Sequence, residues 1–127
     1  MASRSIVAKE LAELFKIISH PDRLRLVEEL RSGGLDVNTL AESLNLPQAR
    51  VSQHLSLMRA HRLVDETRDG RRHLYKLRQP EIADWIVEGL DFINEPMRGI
   101  TQEDIRNARD LWSGDKSKTS TKRAAKA

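Results

Sequence analysis

The chain of 127 residues is 39% hydrophobic, 32% charged and only 4% aromatic, so one domain-sized core built from Leu, Ile and Val is expected. It has no cysteine, which excludes disulfides, thiolate metal sites, iron–sulfur clusters and thiol redox sensing together. No apolar run approaches the roughly 18 residues of a membrane span. The start, Met-Ala-Ser-Arg-Ser, leads into an amphipathic stretch with Lys9, Glu10 and Glu13 rather than a secretory core, so a cytoplasmic protein is expected. The net charge of +3 is unevenly spread: −1 over residues 1–45, +5 over 46–78, −5 over 79–112 and +4 over 113–127. A concentrated basic block suits a polyanionic partner better than the overall balance suggests.

Along the chain, Val7, Leu11, Leu14, Phe15 and Ile18 recur at helical spacing. Pro21 fits a first helical turn, and Leu24, Leu26, Val27 and Leu30 continue a second helix until Gly33-Gly34 stops it. Leu35 and Val37 flank a brief extended stretch. Val37, Leu40, Ala41 and Leu44 then predict a short third helix, with Asp36 or Asn38 as its N-cap. A fourth helix is expected from about Pro47 to Ala60, buried along Val51, Leu55 and Met58. Residues 63–68 and 72–77 read as two strands joined by Asp69-Gly70, a dipeptide favoured in tight hairpins. After Pro80, another helix carries Ile82, Trp85, Ile86, Gly89, Leu90 and Ile93 on one stripe. Thr101 starts a last helix through Ile105, Ala108, Leu111 and Trp112, with Asp104 as its capping partner. The Ser-, Thr-, Lys- and Ala-rich end lacks periodicity and reads as disordered.

Two short helices followed by a hairpin is the order of a winged helix-turn-helix. The second helix of such a pair enters the major groove of double-stranded DNA, so its outer side must be polar. Gln48, Ala49, Ser52, Gln53 and Ser56 lie opposite the apolar edge, with Arg50 and Arg59 on the flanks. Gln suits adenine, Arg suits guanine, and Ala can pack on a thymine methyl. His54 borders this face and is placed with the DNA contacts, the other option being packing against the third helix. Arg68, Arg71 and Arg72 near the hairpin tip suit the phosphate backbone or a narrow minor groove. Charges on a turn are otherwise ordinary solvated groups; the polar helix beside them gives them their meaning.

The run His20-Pro21-Asp22-Arg23-Leu24-Arg25-Leu26-Val27, the helix 46–55 (Leu-Pro-Gln-Ala-Arg-Val-Ser-Gln-His-Leu) and the hairpin from Leu63-Val64 through Asp69-Gly70-Arg71-Arg72 to Tyr75-Lys76-Leu77 together resemble the arsenic-repressor (ArsR/SmtB) family. The likeness covers about residues 8–93. It implies a homodimeric transcriptional repressor on an imperfect palindrome, with base contacts falling on Gln48, Ala49, Ser52 and Gln53. Pro47 and Ala49 stand where the family commonly has serines, and His61-Arg62 replaces a small-residue turn. Dimerisation in the family uses the first and last helices, which here places it on Val7, Leu11, Leu14, Ile18, Ile82, Trp85, Ile86, Leu90 and Ile93.

The resemblance also directs attention to sensing. The family's thiolate pair in the third helix is replaced here by Leu35-Asp36-Val37-Asn38. On the C-terminal helix, Asp84, Glu88 and Asp91 are present, but no histidine follows His73; these carboxylates read as a solvated face. His20, His54, His61 and His73 form no i, i+4 pair, and a His61–His73 site at the wing would need more ligands. No cofactor or metal ligand is therefore assigned, and a non-metal repressor is expected.

The expected architecture is mainly α with a small β-hairpin wing (α-α-α-α-β-β-α), dimeric. Residues 1–95 form the DNA-binding and dimerisation domain, 96–112 an additional helix and 113–127 a disordered basic tail. A winged helix that docks on protein is the alternative, and a metal-responsive repressor using His, Asp or Glu is another. Polar Gln48, Ser52 and Gln53 favour DNA over protein, since a docking head exposes an apolar patch. No Gly-rich phosphate loop or Ser/His/Asp arrangement points to an enzyme, and the Glu and Asp pairs are expected on helix surfaces.

Overall fold

The computed structural model describes residues 2–93 and 99–113. From residue 114 onward, the tail expected to be disordered lies outside the described residues. The chain divides into two units, Met1–Gln79 and Pro80–Ala127.

The first unit opens with α1 (Ala2–Ile18) and α2 (Pro21–Leu30). α1 starts five residues before its first expected apolar position. α2 has Pro at its start, and His20 caps it, its ring Nδ1 accepting the Asp22 N–H at 3.0 Å. β1 (Leu35–Asp36) leads directly into α3 (Val37–Leu44). Of the two N-cap candidates, Asp36 is the one used: its carboxylate accepts the Thr39 N–H at 2.9 Å. Asn45, at φ 55°, closes α3 in the left-handed conformation that Asn tolerates, and Pro47 at φ −60° launches α4 (Gln48–Ala60).

β2 (Val64–Asp69) and β3 (Arg72–Leu77) pair antiparallel from Val64 opposite Leu77 to Asp69 opposite Arg72. The two loop residues are thus Gly70-Arg71, one position later than the expected Asp69-Gly70. Gly70 has φ 67°, whereas Arg71 has no positive φ. A positive angle at the first loop position alone is the pattern of a type II′ turn, which wants glycine there. The short extended stretch at Leu35 becomes a third strand on the far side of β3, with Leu35 opposite Tyr75.

The core of this unit lies between α2, α3, α4 and the sheet. Leu26, Val27, Leu30, Leu40, Val51, Leu55, Met58 and Val64 are essentially inaccessible. Glu28 and Glu29 were expected on a helix surface but are also buried, because α2 is covered around its C-terminal half. Arg25 on the same helix pairs with both, which compensates two carboxylates taken out of water.

The second unit contains α5 (Glu81–Gly89), a 3₁₀ turn (Leu90–Phe92) and α6 (Gln102–Ser113). The expected single stripe from Ile82 to Ile93 is interrupted. The α-helix ends at Gly89, and Ile93 leaves helical geometry at φ −112°, ψ 66°. α6 begins with the expected reciprocal cap: Thr101 Oγ1 accepts the Asp104 N–H and Asp104 accepts the Thr101 N–H, both at 3.0 Å.

Candidate nucleic-acid interface

α4 has two distinct sides. Val51, Leu55 and Met58 are at 0% exposure, while Gln48, Ala49, Arg50, Ser52, Gln53, Ser56 and Arg59 are all exposed. One side is therefore committed to the core, and the other is a polar surface on which, of these residues, Arg59 alone is tied to another element by a salt bridge. No side chain caps the start of α4; the Arg50 and Val51 N–H groups donate to the Pro47 carbonyl, so the Gln48 and Ala49 amides are the ones left to an outside acceptor.

His54 departs from expectation. Its side chain is only 12% exposed, because it sits on the flank nearer the buried edge than the polar stripe. Its Nε2 lies 3.3 Å from Asp22 Oδ2 and its Nδ1 lies 3.4 Å from Arg23 Nη1, both on α2. The ring also packs on His20, with centroids 4.6 Å apart. His54 therefore joins α4 to α2, not to the third helix, and does not belong to the outward face. Burial pushes its pKa below the usual imidazole range, an effect that the Asp22 hydrogen bond partly opposes. The neutral ring satisfies both contacts, with Nε2–H donating to Asp22 and Nδ1 accepting from Arg23.

The hairpin presents Arg68, Arg71 and Arg72 to solvent. Arg72 donates to Asp36 Oδ2 at 3.0 Å, tying the hairpin to the cap of α3. Arg59, at the end of α4, donates to Glu66 on β2 at 2.8 Å. Glu66 also takes His73 Nδ1 from β3, so one carboxylate fastens the end of the helix to both strands. The His73 bond is the main reason its pKa is held below the usual carboxylate value, with Arg59 contributing. Asp36 is lowered chiefly by the Thr39 hydrogen bonds, with Arg72 adding to them. Tyr75 is raised, first by burial and then by Glu66. Arg50, Arg68 and Arg71 form no ion pair among the described residues.

Sequence reading missed Glu66 and Tyr75. Alternation along the two strands puts Glu66 and Tyr75 on the same cross-strand pair, and that was the available signal. It also missed the meeting of His20 and Asp22 with His54, which are distant in sequence. Among the described residues, His20, Asp22 and His54 are the one group of three side chains whose metal-capable atoms converge; His61 and His73 join no such group.

The apolar residues expected at a dimer interface separate by exposure. Val7, Leu11, Trp85 and Ile93 are exposed, and Leu14, Ile82, Ile86 and Leu90 are half-buried. Ile18 is buried within its own chain, because it sits at the end of α1 beside the start of α2, and is corrected to a core residue. Ile6, Phe15 and Phe92 are exposed apolar residues that the expected set omitted.

A helix with one buried and one polar face, preceded by a short helix and followed by a basic hairpin, defines a winged helix-turn-helix transcriptional regulator. Residues 20–66 match the sequence profile described as "Bacterial regulatory protein, arsR family". The chain is 30% identical over 99 residues to the arsenical resistance operon repressor of Staphylococcus xylosus, covering 78% of this chain and 94% of that one. It is 39% identical over 88 residues to the transcriptional repressor PagR of Bacillus anthracis, covering 68% and 83%. Among solved structures, the transcriptional repressor BigR from Xylella fastidiosa superposes with a TM-score of 0.64 at 28% identity, covering 74% of this chain and 96% of that one. The chain belongs to the arsR family of bacterial regulatory proteins.

Proposed function

We propose that the protein is a homodimeric repressor that binds a palindromic operator in double-stranded DNA, with α4 in the major groove and the hairpin on the flanking backbone. The observation that carries this reading is the polar face of α4. Gln48, Ser52, Gln53 and Ser56 stand free on a helix whose opposite side is wholly buried, where a protein-docking head would expose an apolar patch. The arginines of the hairpin supply the phosphate contacts that hold such a helix in register. The exposed apolar residues of α1, namely Ile6, Val7, Leu11 and Phe15, together with Trp85, Phe92 and Ile93 of the second unit, supply surface for a second copy. That relatives bear the name of repressor supports the direction of control.

Selection of bound sequences from random duplexes, followed by footprinting, tests the proposal. Two half-sites should emerge roughly 10 bp apart or a multiple of that. Gln48→Ala with Ser52→Ala should lower affinity for the selected site by about 10-fold or more, in line with the ~1–3 kcal/mol carried by a good base contact, while sparing random DNA. Equal losses on both would show that α4 does not read bases.

A further inference from the structure

His20, Asp22 and His54 are used by the DNA reading only as a joint between helices, yet their chemistry allows more. One ligand atom from each lies within 4.8 Å of the others. All three are partly accessible, from 12% for His54 to 24% for Asp22 and 42% for His20, so an ion can enter without the fold opening. We propose that these three side chains form a binding site for a divalent transition-metal ion of the zinc type, at the junction of α2 and α4.

Two imidazoles and one carboxylate form a donor set of borderline softness, suited to Zn²⁺ or Co²⁺ rather than to Ca²⁺ or Mg²⁺. Three protein ligands with a fourth position left to water is a common zinc arrangement. With metal–ligand bonds of about 2.0–2.1 Å, tetrahedral ligand atoms stand roughly 3.3–3.4 Å apart. The separation of His54 Nε2 and Asp22 Oδ2, 3.3 Å, already meets that requirement. His20, the most exposed of the three, completes the set by moving inward by up to about 1.5 Å, and ligation through its Nδ1 would take the lone pair that now accepts the Asp22 N–H at the start of α2.

The surroundings dictate what binding rearranges. In the hydrogen-bonded state the proton of His54 lies on Nε2, toward Asp22. Ligation through Nε2 transfers that proton to Nδ1, with no net change in protons on the ring. The 3.4 Å contact from Arg23 then sets donor against donor, and the guanidinium must turn away. Arg23 thus opposes the ion by charge and by hydrogen bonding, and its removal should tighten the site.

The test needs no DNA, so its failure is distinguishable from failure of the operator reading. Tag-free full-length protein is titrated with Co²⁺, followed by the visible absorption of tetrahedral cobalt, and then with Zn²⁺ as competitor. One Co²⁺ per chain, displaced by Zn²⁺, is expected. His20→Asn keeps a side chain able to cap α2, and it should weaken binding at least 10-fold, as should His54→Asn. His61→Asn should leave binding unchanged, and Arg23→Gln should tighten it several-fold. Circular dichroism checks that the His20→Asn protein is folded, with a spectrum matching that of the unmodified protein expected. The proposal is overturned by absence of the cobalt spectrum in the unmodified protein, by its survival in His20→Asn, or by its loss in His61→Asn.

Discussion

Glu66 is the most informative single position for testing how the hairpin is held to α4. It takes Arg59 from the end of α4 and His73 from β3, and its own side chain is only 15% exposed. The Arg59 partner is 60% exposed, so that pair contributes no more than about 0.2–1 kcal/mol after solvent screening. Losing the charge also weakens the bond from His73 by about 1 kcal/mol, since a hydrogen bond to a charged acceptor is worth more than one to a neutral one. Glu66→Gln keeps the shape and removes the charge, and should cost about 1–2 kcal/mol at pH 7. For a domain of this size that lowers the melting temperature by about 4–12 °C. Because the folded protein holds the Glu66 pKa below its ordinary value, its stabilisation is complete above the ordinary carboxylate range. It is lost as the pH falls through the lower, folded value. The glutamine protein has no such proton to take up, so the gap between the two should close on acidification. Thermal melts from pH 7 to pH 3 read this directly. Equal stability at pH 7, or a gap that stays constant to pH 3, would refute the reasoning.

Two further outcomes are expected. Arg62 sits at φ 59°, a left-handed conformation that costs a side-chain-bearing residue about 1–2 kcal/mol; after the extra freedom of an unfolded glycine, Arg62→Gly should stabilise by about 0.5–1 kcal/mol, seen as a higher urea midpoint with unchanged slope. Leu11→Glu places a charge on the exposed face of α1, where Leu11 is 44% exposed. It should leave helix content intact and shift sedimentation from dimer to monomer, and an unaltered dimer would remove α1 from the interface.

What could be read from the sequence divides along physical lines. α4 was legible because Val51, Leu55 and Met58 recur at helical spacing against a polar side, and the buried and exposed faces stand as expected. Asp36 was legible as a cap because its role is local. By contrast, Leu35-Asp36 looked like a mere extended link; pairing with Tyr75 and Leu74 depends on a strand forty residues away. His54 was misplaced for the same reason, since its flank position is ambiguous until Asp22 and Arg23 arrive from another helix. The Glu28-Glu29 pair shows the converse: a charged run reads as surface, and only the packing around α2, with Arg25 alongside, buries it.

The arginines of the reading head should contribute unequally to DNA binding, although the sequence presents them as equals. Arg68 and Arg71 stand without an ion pair among the described residues, whereas Arg72 is held by Asp36. A phosphate contact by Arg68 or Arg71 gains its full electrostatic value, about 0.9 in the slope of log affinity against log salt. The same contact by Arg72 must first break the bond at 3.0 Å, so part of its value is already spent within the protein. Arg71→Ala should therefore weaken DNA binding more than Arg72→Ala. Asp36→Asn sharpens the comparison, because Asn caps a helix as well as Asp does and leaves α3 intact while releasing Arg72. With a surface pair of up to about 1 kcal/mol given back, affinity should rise about 2- to 5-fold at low salt. An affinity that falls or stays level in the Asn protein, with α3 intact by circular dichroism, would mean that Arg72 serves the fold of the hairpin and not the DNA.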